Sequence, residues 1–155
     1  MHIRPFTAAD APALAELFRR SVLEIGCRDY TSEQIAAWAG PQSNADMLAA
    51  RLGDGRLALV ATDDAGQPLA FGDLEADGHI DFLYASPEAA GTGVAAAIYE
   101  ALEQAARERG ISRLYTEASE AARRFFLKRG FAVLSRRAFE VRRVPIHNYA
   151  MEKVL

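Results

Sequence analysis

The pattern of apolar and polar positions divides the chain into alternating helical and extended stretches. After a short strand-like opening, Ile3-Arg4-Pro5-Phe6, apolar residues recur at Leu14, Leu17, Phe18, Val22 and Ile25, the one-sided stripe of an amphipathic helix. Thr7 and Asp10 have capping-box spacing ahead of it, and Thr31 with Gln34 repeats the signal before Ile35 and Trp38. A third helical stretch beyond Pro41 carries Met47, Leu48 and Leu52 and stops at Gly53, while residues 26–30 connect the first two helical regions. The period then shortens. Residues 56–62, 68–76 and 79–85 read as a three-stranded antiparallel meander, with Asp77-Gly78 as a two-residue turn. Strict alternation in the third strand sets Ile80, Phe82 and Tyr84 on one face and His79, Asp81, Leu83 and Ala85 on the other. A helix over 92–109 follows, with Val94, Ile98, Leu102 and Ala105 as its buried stripe and Gly110 as its stop. A strand over 111–118, a helix over 120–128 and a hairpin of 131–141 with 144–155 around Arg142-Arg143 complete the pattern.

At 155 residues, half of them hydrophobic and a quarter charged, the chain is expected to fold as one domain spanning 1–155. Charged residues interrupt every apolar run before it reaches the roughly 18 residues a spanning helix needs. The opening residues have no cationic leader followed by an apolar block, so a cytoplasmic location is expected. The single cysteine, Cys27, offers neither an intrachain disulfide nor a thiol-rich metal site and reads as a small buried or half-buried residue. No metal is expected. The net charge of −3 is unevenly spread: residues 1–118 carry 9 Lys/Arg against 18 Asp/Glu, and residues 119–155 carry 9 against 3. Overall acidity disfavours nucleic acid as a partner, because that affinity rests on neutralising phosphates.

Candidate chemistry concentrates in Ala90-Gly91-Thr92-Gly93-Val94-Ala95, between a strand and a helix. Orphan amides and the positive end of the helix dipole suit such a turn to a phosphate. Gly91-x-Gly93-x-x-Ala96 also matches the dinucleotide fingerprint, with Glu117 at the end of the next strand as a ribose-binding acid. An antiparallel meander before the motif and a short remainder after it disfavour that doubly wound alternative.

The order of elements resembles that of the GNAT superfamily of acyl-CoA N-acyltransferases. The likeness is carried by Ile3-Arg4-Pro5, by Ile80 to Pro87, by the glycine loop, by Phe125-Phe126-Leu127-Lys128-Arg129-Gly130-Phe131 and by Asn148-Tyr149-Ala150-Met151-Glu152-Lys153. The resemblance implies an α/β fold of α+β type: a mixed central sheet of about seven strands, largely antiparallel, with a splayed parallel pair in the middle and about four flanking helices. It implies acetyl-CoA as co-substrate, its pyrophosphate on Ala90, Gly91, Thr92, Gly93, Val94 and Ala95, where Ala90 replaces the usual Arg or Gln. The pantetheine arm would pair with the main chain of Leu83 and Ala85 as an added strand, bordered by Ser119, Ala122 and Phe126, with Arg123, Arg124 and Lys128 within reach of the adenosine phosphates.

Amine acylation needs a neutral amine and a protonated leaving thiolate. Asp81 is the first candidate to take up the amine's proton and His79 the second. The family's tyrosine acid falls on Phe126, which leaves Tyr149, Tyr30 and Tyr84 as phenols, Tyr84 being disfavoured by its predicted strand face. Residues 26–30, Asp73, Glu75, His147 and Asn148 are expected around a cationic acceptor, and Trp38, Phe6 and Phe71 in the core. The expected activity is acetyl transfer to a primary amine of a small molecule or peptide. A non-catalytic acyl-CoA sensor or partner module is the alternative, and a homodimer is compatible with either.

Overall fold

The computed structural model of the chain describes residues 1–42 and 44–155. Strands β1 (His2–Pro5), β2 (Leu57–Thr62), β3 (Pro68–Leu74) and β4 (Leu83–Ala85) form an antiparallel sheet in the order β1-β2-β3-β4. A second antiparallel sheet, in the order β5-β7-β6, contains β5 (Arg113–Ala118), β6 (Ala132–Val141) and β7 (Val144–Val154). The helices are α1 (Ala11–Glu24), α2 (Ser32–Gln42), α3 (Ala45–Leu52), α4 (Val94–Glu108) and α5 (Glu120–Leu127). Seven strands and five helices among the described residues agree with the expected mixed, largely antiparallel architecture.

Local signals set the ends of these elements. Thr31 N donates to Gln34 Oε1 (2.9 Å) and Gln34 N to Thr31 Oγ1 (3.1 Å), a closed capping box at the start of α2. Thr7 N donates to Asp10 (2.8 Å), whose carboxylate also takes a bidentate contact from Arg4 (2.7 and 2.8 Å). That pair opens a short 3-10 turn, Ala8–Asp10, from which α1 continues. In the closing hairpin, Arg142 and Arg143 both adopt positive φ (50° and 67°), the backbone of a tight two-residue turn between strongly twisted strands.

The first sheet has a core on each face. Val60, Phe71 and Phe82 pack with Leu14, Phe18 and Leu48 of α1 and α3. Ala61, Ala70, Leu74 and Ile80 pack with Ile98 and Leu102 of α4, with Phe126 of α5 and with Leu114 and Met151 of the second sheet. Among the described residues a single parallel bridge, His79 to Tyr115, joins the sheets. Ile80 N donates to Tyr115 O (2.9 Å), Tyr115 N to Gly78 O (3.1 Å) and the Thr116 hydroxyl to Ile80 O (2.7 Å). Beyond that point β4 and β5 are not paired, and the expected splay opens between them.

Its cause is an irregularity that strict alternation could not reveal. Gly72 pairs with Leu83, and Asp73 N donates to Phe82 O, yet Glu75 N donates to His79 O. One extra residue therefore lies on the β4 side, a bulge at Ile80–Asp81. Its two amides turn toward the Asp73 carboxylate, with Asp81 N and Phe82 N both donating to Oδ1 (2.9 and 2.7 Å). Asp73 is fully buried, and its other oxygen takes Arg56 Nη1 at 2.6 Å. The bulge carries Ile80 to the α4 face while Phe82 and Tyr84 stay on the α1 face, correcting the expectation that the three share a side. The strand is likewise shorter than the expected 79–85. The preceding turn spans three residues, 76–78, not two: Gly78 N donates to Glu75 O, and Gly78 has φ 98°. A β-carbon at Gly78 would lie 2.0 Å from the Arg113 carbonyl oxygen, so only glycine lets the turn abut β5.

Replacing Asp73 by Ala strands two buried amides and uncouples Arg56, for an expected loss of about 3–5 kcal/mol in urea denaturation. Asp73→Asn keeps an acceptor for both amides and should lose clearly less. Equal losses in the two variants would exclude amide capping as the carboxylate's structural role.

Candidate functional site

The glycine loop is built by its own backbone. Ala89 N and Ala90 N both donate to Ser86 O (3.0 Å each), and the Thr92 amide and hydroxyl turn in to Ala89 O. Gly91 and Gly93 adopt φ 78° and 91°, which side-chain-bearing residues resist, and no atom lies within 4 Å of where either β-carbon would stand. The loop therefore presents open space in front of the first turn of α4. Helix α4 starts at Val94 with Gly93 as its N-cap, two residues later than the periodicity suggested. The first-turn amides from Val94 onward have no intrahelical acceptor and face the positive end of the helix dipole. Val94 contributes only its main chain, because its side chain is in the core.

From this loop a cavity of about 290 Å³ runs into the splay. Leu83 and Ala85 form one wall, Ser119, Ala122 and Phe126 the opposite one, and Ala90, Gly91 and Ala95 the outer end. Ser119 caps α5 by accepting from Ala122 N (3.3 Å), which fixes the start of that wall. Phe126 is 2% exposed and packs against Phe131, Phe125 and Tyr99. The groove is mainly apolar, narrow and open at an anion-favouring end, a shape that suits a flexible chain ending in phosphates.

A second cavity of about 220 Å³ lies on the other side of the splay, lined by His79, Arg137, Phe139, Ile146, His147 and Asn148, among others. Four residues line both cavities: Trp38, Asp81, Tyr84 and Glu117. The cavities therefore meet where β4 and β5 diverge, and two carboxylates and a phenol stand at the junction.

Ion pairs hold these groups. Arg56, nearly buried, bridges Asp54, Asp73 and Asp81, the last at 3.0 Å, and its carboxylate neighbours raise its pKa further. Burial pushes the Asp73 carboxyl up to about 6 against its hydrogen bonds. His79 stacks on Tyr115 and lies between Glu117 (Nε2, 3.0 Å) and Glu75 (Nδ1, 2.7 Å). The Glu117 contact foremost, aided by Glu75 and opposed by desolvation, raises its pKa to about 9; the same contact lowers that of Glu117. At neutral pH His79 is thus an imidazolium between two carboxylates. Tyr84 packs against Phe18 and Phe71, and burial raises its phenol. Its hydroxyl has no hydrogen-bond partner among the described residues.

The expected site residues divide accordingly. Leu83, Ala85, Ala90, Gly91, Ala95, Ser119, Ala122 and Phe126 line one cavity, with Thr92, Gly93 and Val94 shaping its mouth through the backbone. Asp81 and His79 reach the second cavity, but His79 does so as a cation. Tyr149 lines neither: its hydroxyl donates to Glu120 (2.7 Å) and Arg123 stacks over its ring. Tyr84, disfavoured by its predicted face, lines both. Trp38, expected wholly in the core, packs against it but also lines both cavities. Asp73 is a buried structural group, not an acceptor contact, and Gly26, Asp29 and Tyr30 line the first cavity instead of the second. Arg124 is paired with Asp29 (2.8 Å), and Cys27 is exposed, contrary to the buried reading. Sequence reasoning overlooked Arg56 and gave Glu117 only a ribose-binding role.

Among the described residues no helix is long and apolar enough to cross a membrane, and no cluster of metal-ligating side chains occurs. The acetyltransferase (GNAT) domain family matches residues 27–153. A curated relative, the uncharacterized N-acetyltransferase YafP of Escherichia coli (strain K12), is 29% identical over 97% of this chain and 94% of its own. A crystal structure of a GCN5-related N-acetyltransferase from Rhodopseudomonas palustris superposes with a TM-score of 0.92 at 36% identity, covering 99% of this chain and 95% of that one. The PaiA N-acetyltransferase of Thermoplasma acidophilum, solved in complex with coenzyme A, shares the fold at a TM-score of 0.79 and 20% identity, over 99% and 98% of the two chains. The match over most of its length, on a sheet splayed beside a glycine loop, establishes that this chain belongs to the GNAT acetyltransferase family.

Proposed function

We propose that the chain moves an acetyl group from acetyl-CoA to a primary amine of a small molecule or peptide, by direct attack within a ternary complex. The observation that carries this reading is the meeting of two cavities at Trp38, Asp81, Tyr84 and Glu117, one of them leading back to the glycine loop. Coenzyme A in the PaiA structure and acetyl-CoA in that of YncA from Salmonella typhimurium, a putative acetyltransferase, support the choice of cofactor within this fold. Acetyl-CoA supplies the activated acyl group. Backbone amides of residues 91–95 hold its pyrophosphate, and the main chain of Leu83 and Ala85 receives the arm.

In this reading Asp81 and Glu117 hold the acceptor's ammonium at the junction and take its proton through water, while His79, as a fixed cation, orients Glu117. Tyr84 replaces the tyrosine missing at Phe126: a desolvated phenol stays protonated and can donate a hydrogen bond to the thiolate as it leaves, which takes up the proton released by the amine. Tyr149 has no place in the scheme. The exposed free thiol of Cys27 suits a reducing compartment such as the cytoplasm.

Incubation with acetyl-CoA and a panel of amines should release free thiol in an amine-dependent way. Tight acetyl-CoA binding with no release across the panel would favour a non-catalytic sensor, and calorimetric preference for NAD over acetyl-CoA would overturn the reading. Tyr84→Phe should lower kcat on the order of 10²-fold with acetyl-CoA affinity unchanged; an unchanged kcat would remove Tyr84 as the acid. The His79 ion pairs imply a stability term fully present below about pH 6.5 and lost as pH rises through about 9. The melting temperature of the wild type should therefore exceed that of His79→Gln at pH 6 and approach it above that window. A gap independent of pH would mean that packing alone, not charge, holds His79.

A further inference from the structure

The second sheet ends in an unusual edge. β6 runs for ten residues at the outside of the order β5-β7-β6, and its residues 132–140 are all exposed, on both faces. Val133, Leu134 and Phe139 are 38%, 53% and 37% exposed. A long edge with unpaired main-chain groups and apolar side chains is a template for another strand.

The register says which strand fits. Val141 and Val144 flank a two-residue turn, so the odd-numbered residues 137, 139 and 141 direct their amides and carbonyls at β7. Glu140 faces Pro145, which has no N–H, as a non-bonded position requires. Arg136, Ala138 and Glu140 therefore point their main-chain groups outward, to the free edge.

We propose that β6 pairs antiparallel with β6 of a second copy of this chain, about a two-fold axis at Ala138. In that register Ala138 meets its own counterpart, and Arg136 lies across from Glu140 of the partner subunit, so each subunit contributes one half of two symmetric ion pairs. Arg137, whose guanidinium lies 5.6 Å from the Phe139 ring centre within the chain, lies across from Phe139 of the partner subunit. Shifting the axis by one residue is not neutral: it sets Arg137 against Arg137 of the partner subunit in one direction and Arg136 against Arg142 of the partner subunit in the other. In this register the edge sets opposite charges across from each other, which attract where like charges would repel. Because Arg137, Phe139 and Val141 also line the second cavity, the partner's strand would run beside the acceptor cleft and extend its outer wall. The pairing itself does not depend on the acetyltransferase reading.

Light scattering coupled to size exclusion tests the proposal at micromolar protein. The wild type is expected at twice the 16.9 kDa of the chain. Glu140→Arg, which opposes two arginines at each pair, should shift it to monomer, and the double exchange R136E/E140R should restore the dimer with the pair reversed. Ala138→Pro removes an outward N–H without touching the β6–β7 ladder and should also give a folded monomer by circular dichroism. A monomeric wild type overturns the proposal. So does a dimer that survives both Glu140→Arg and Ala138→Pro, or a double exchange that stays monomeric.

Discussion

The site depends on a buried carboxylate that holds open a fault in the sheet. Asp73 accepts the two amides that the bulge at Ile80–Asp81 releases and is itself held by Arg56. Without an acceptor those amides would have to find partners by restoring regular pairing, and a buried N–H left unpaired costs about 1–3 kcal/mol. The bulge bends β4 away from β5 just after the Ile80–Tyr115 bond. Both cavities, and the junction between them, lie where the two strands separate. Structural and chemical roles meet in Arg56, since one guanidinium fixes the buried Asp73 and the cleft-lining Asp81.

Charge is arranged in two linked groups around that opening. On the β3–β4 side Arg56 gathers Asp54, Asp73 and Asp81; on the β5 side His79 draws Glu117 and Glu75 together. Each cation lets carboxylates crowd a narrow space, because its charge offsets their mutual repulsion. The junction thereby keeps two acidic side chains facing a cavity sized for a small acceptor. In the proposed reaction that junction would receive the acceptor's ammonium, and the apolar groove the cofactor's arm.

Features that rest on neighbouring residues were legible in the sequence. The capping box at Thr31–Gln34, the glycine loop and the Arg142-Arg143 turn each need only a few consecutive positions, and the element order followed from periodicity. The features that escaped rest on distant contacts. Arg56 meets Asp73 and Asp81 across 17 and 25 residues, and His79 meets Glu117 across 38. Period-two reasoning assumes an unbroken strand, so one bulge sufficed to misassign Ile80; Tyr84 does lie opposite Leu83 and Ala85, but at the splay it lines both cavities all the same. Tyr149 looked available because nothing local announces that Glu120, 29 residues earlier, captures its hydroxyl. Phe126 could be assigned to the groove because the resemblance covers the whole α5 segment.

A crystal structure with coenzyme A bound is the most direct measurement. The pyrophosphate should lie on the amides of residues 91–95, the arm should follow the main chain of Leu83 and Ala85 through the splay, and the sulfur should emerge beside Tyr84, Asp81 and Glu117. A cofactor bound outside the splay, or a sulfur distant from those three side chains, would contradict the assignment of the junction as the place of transfer.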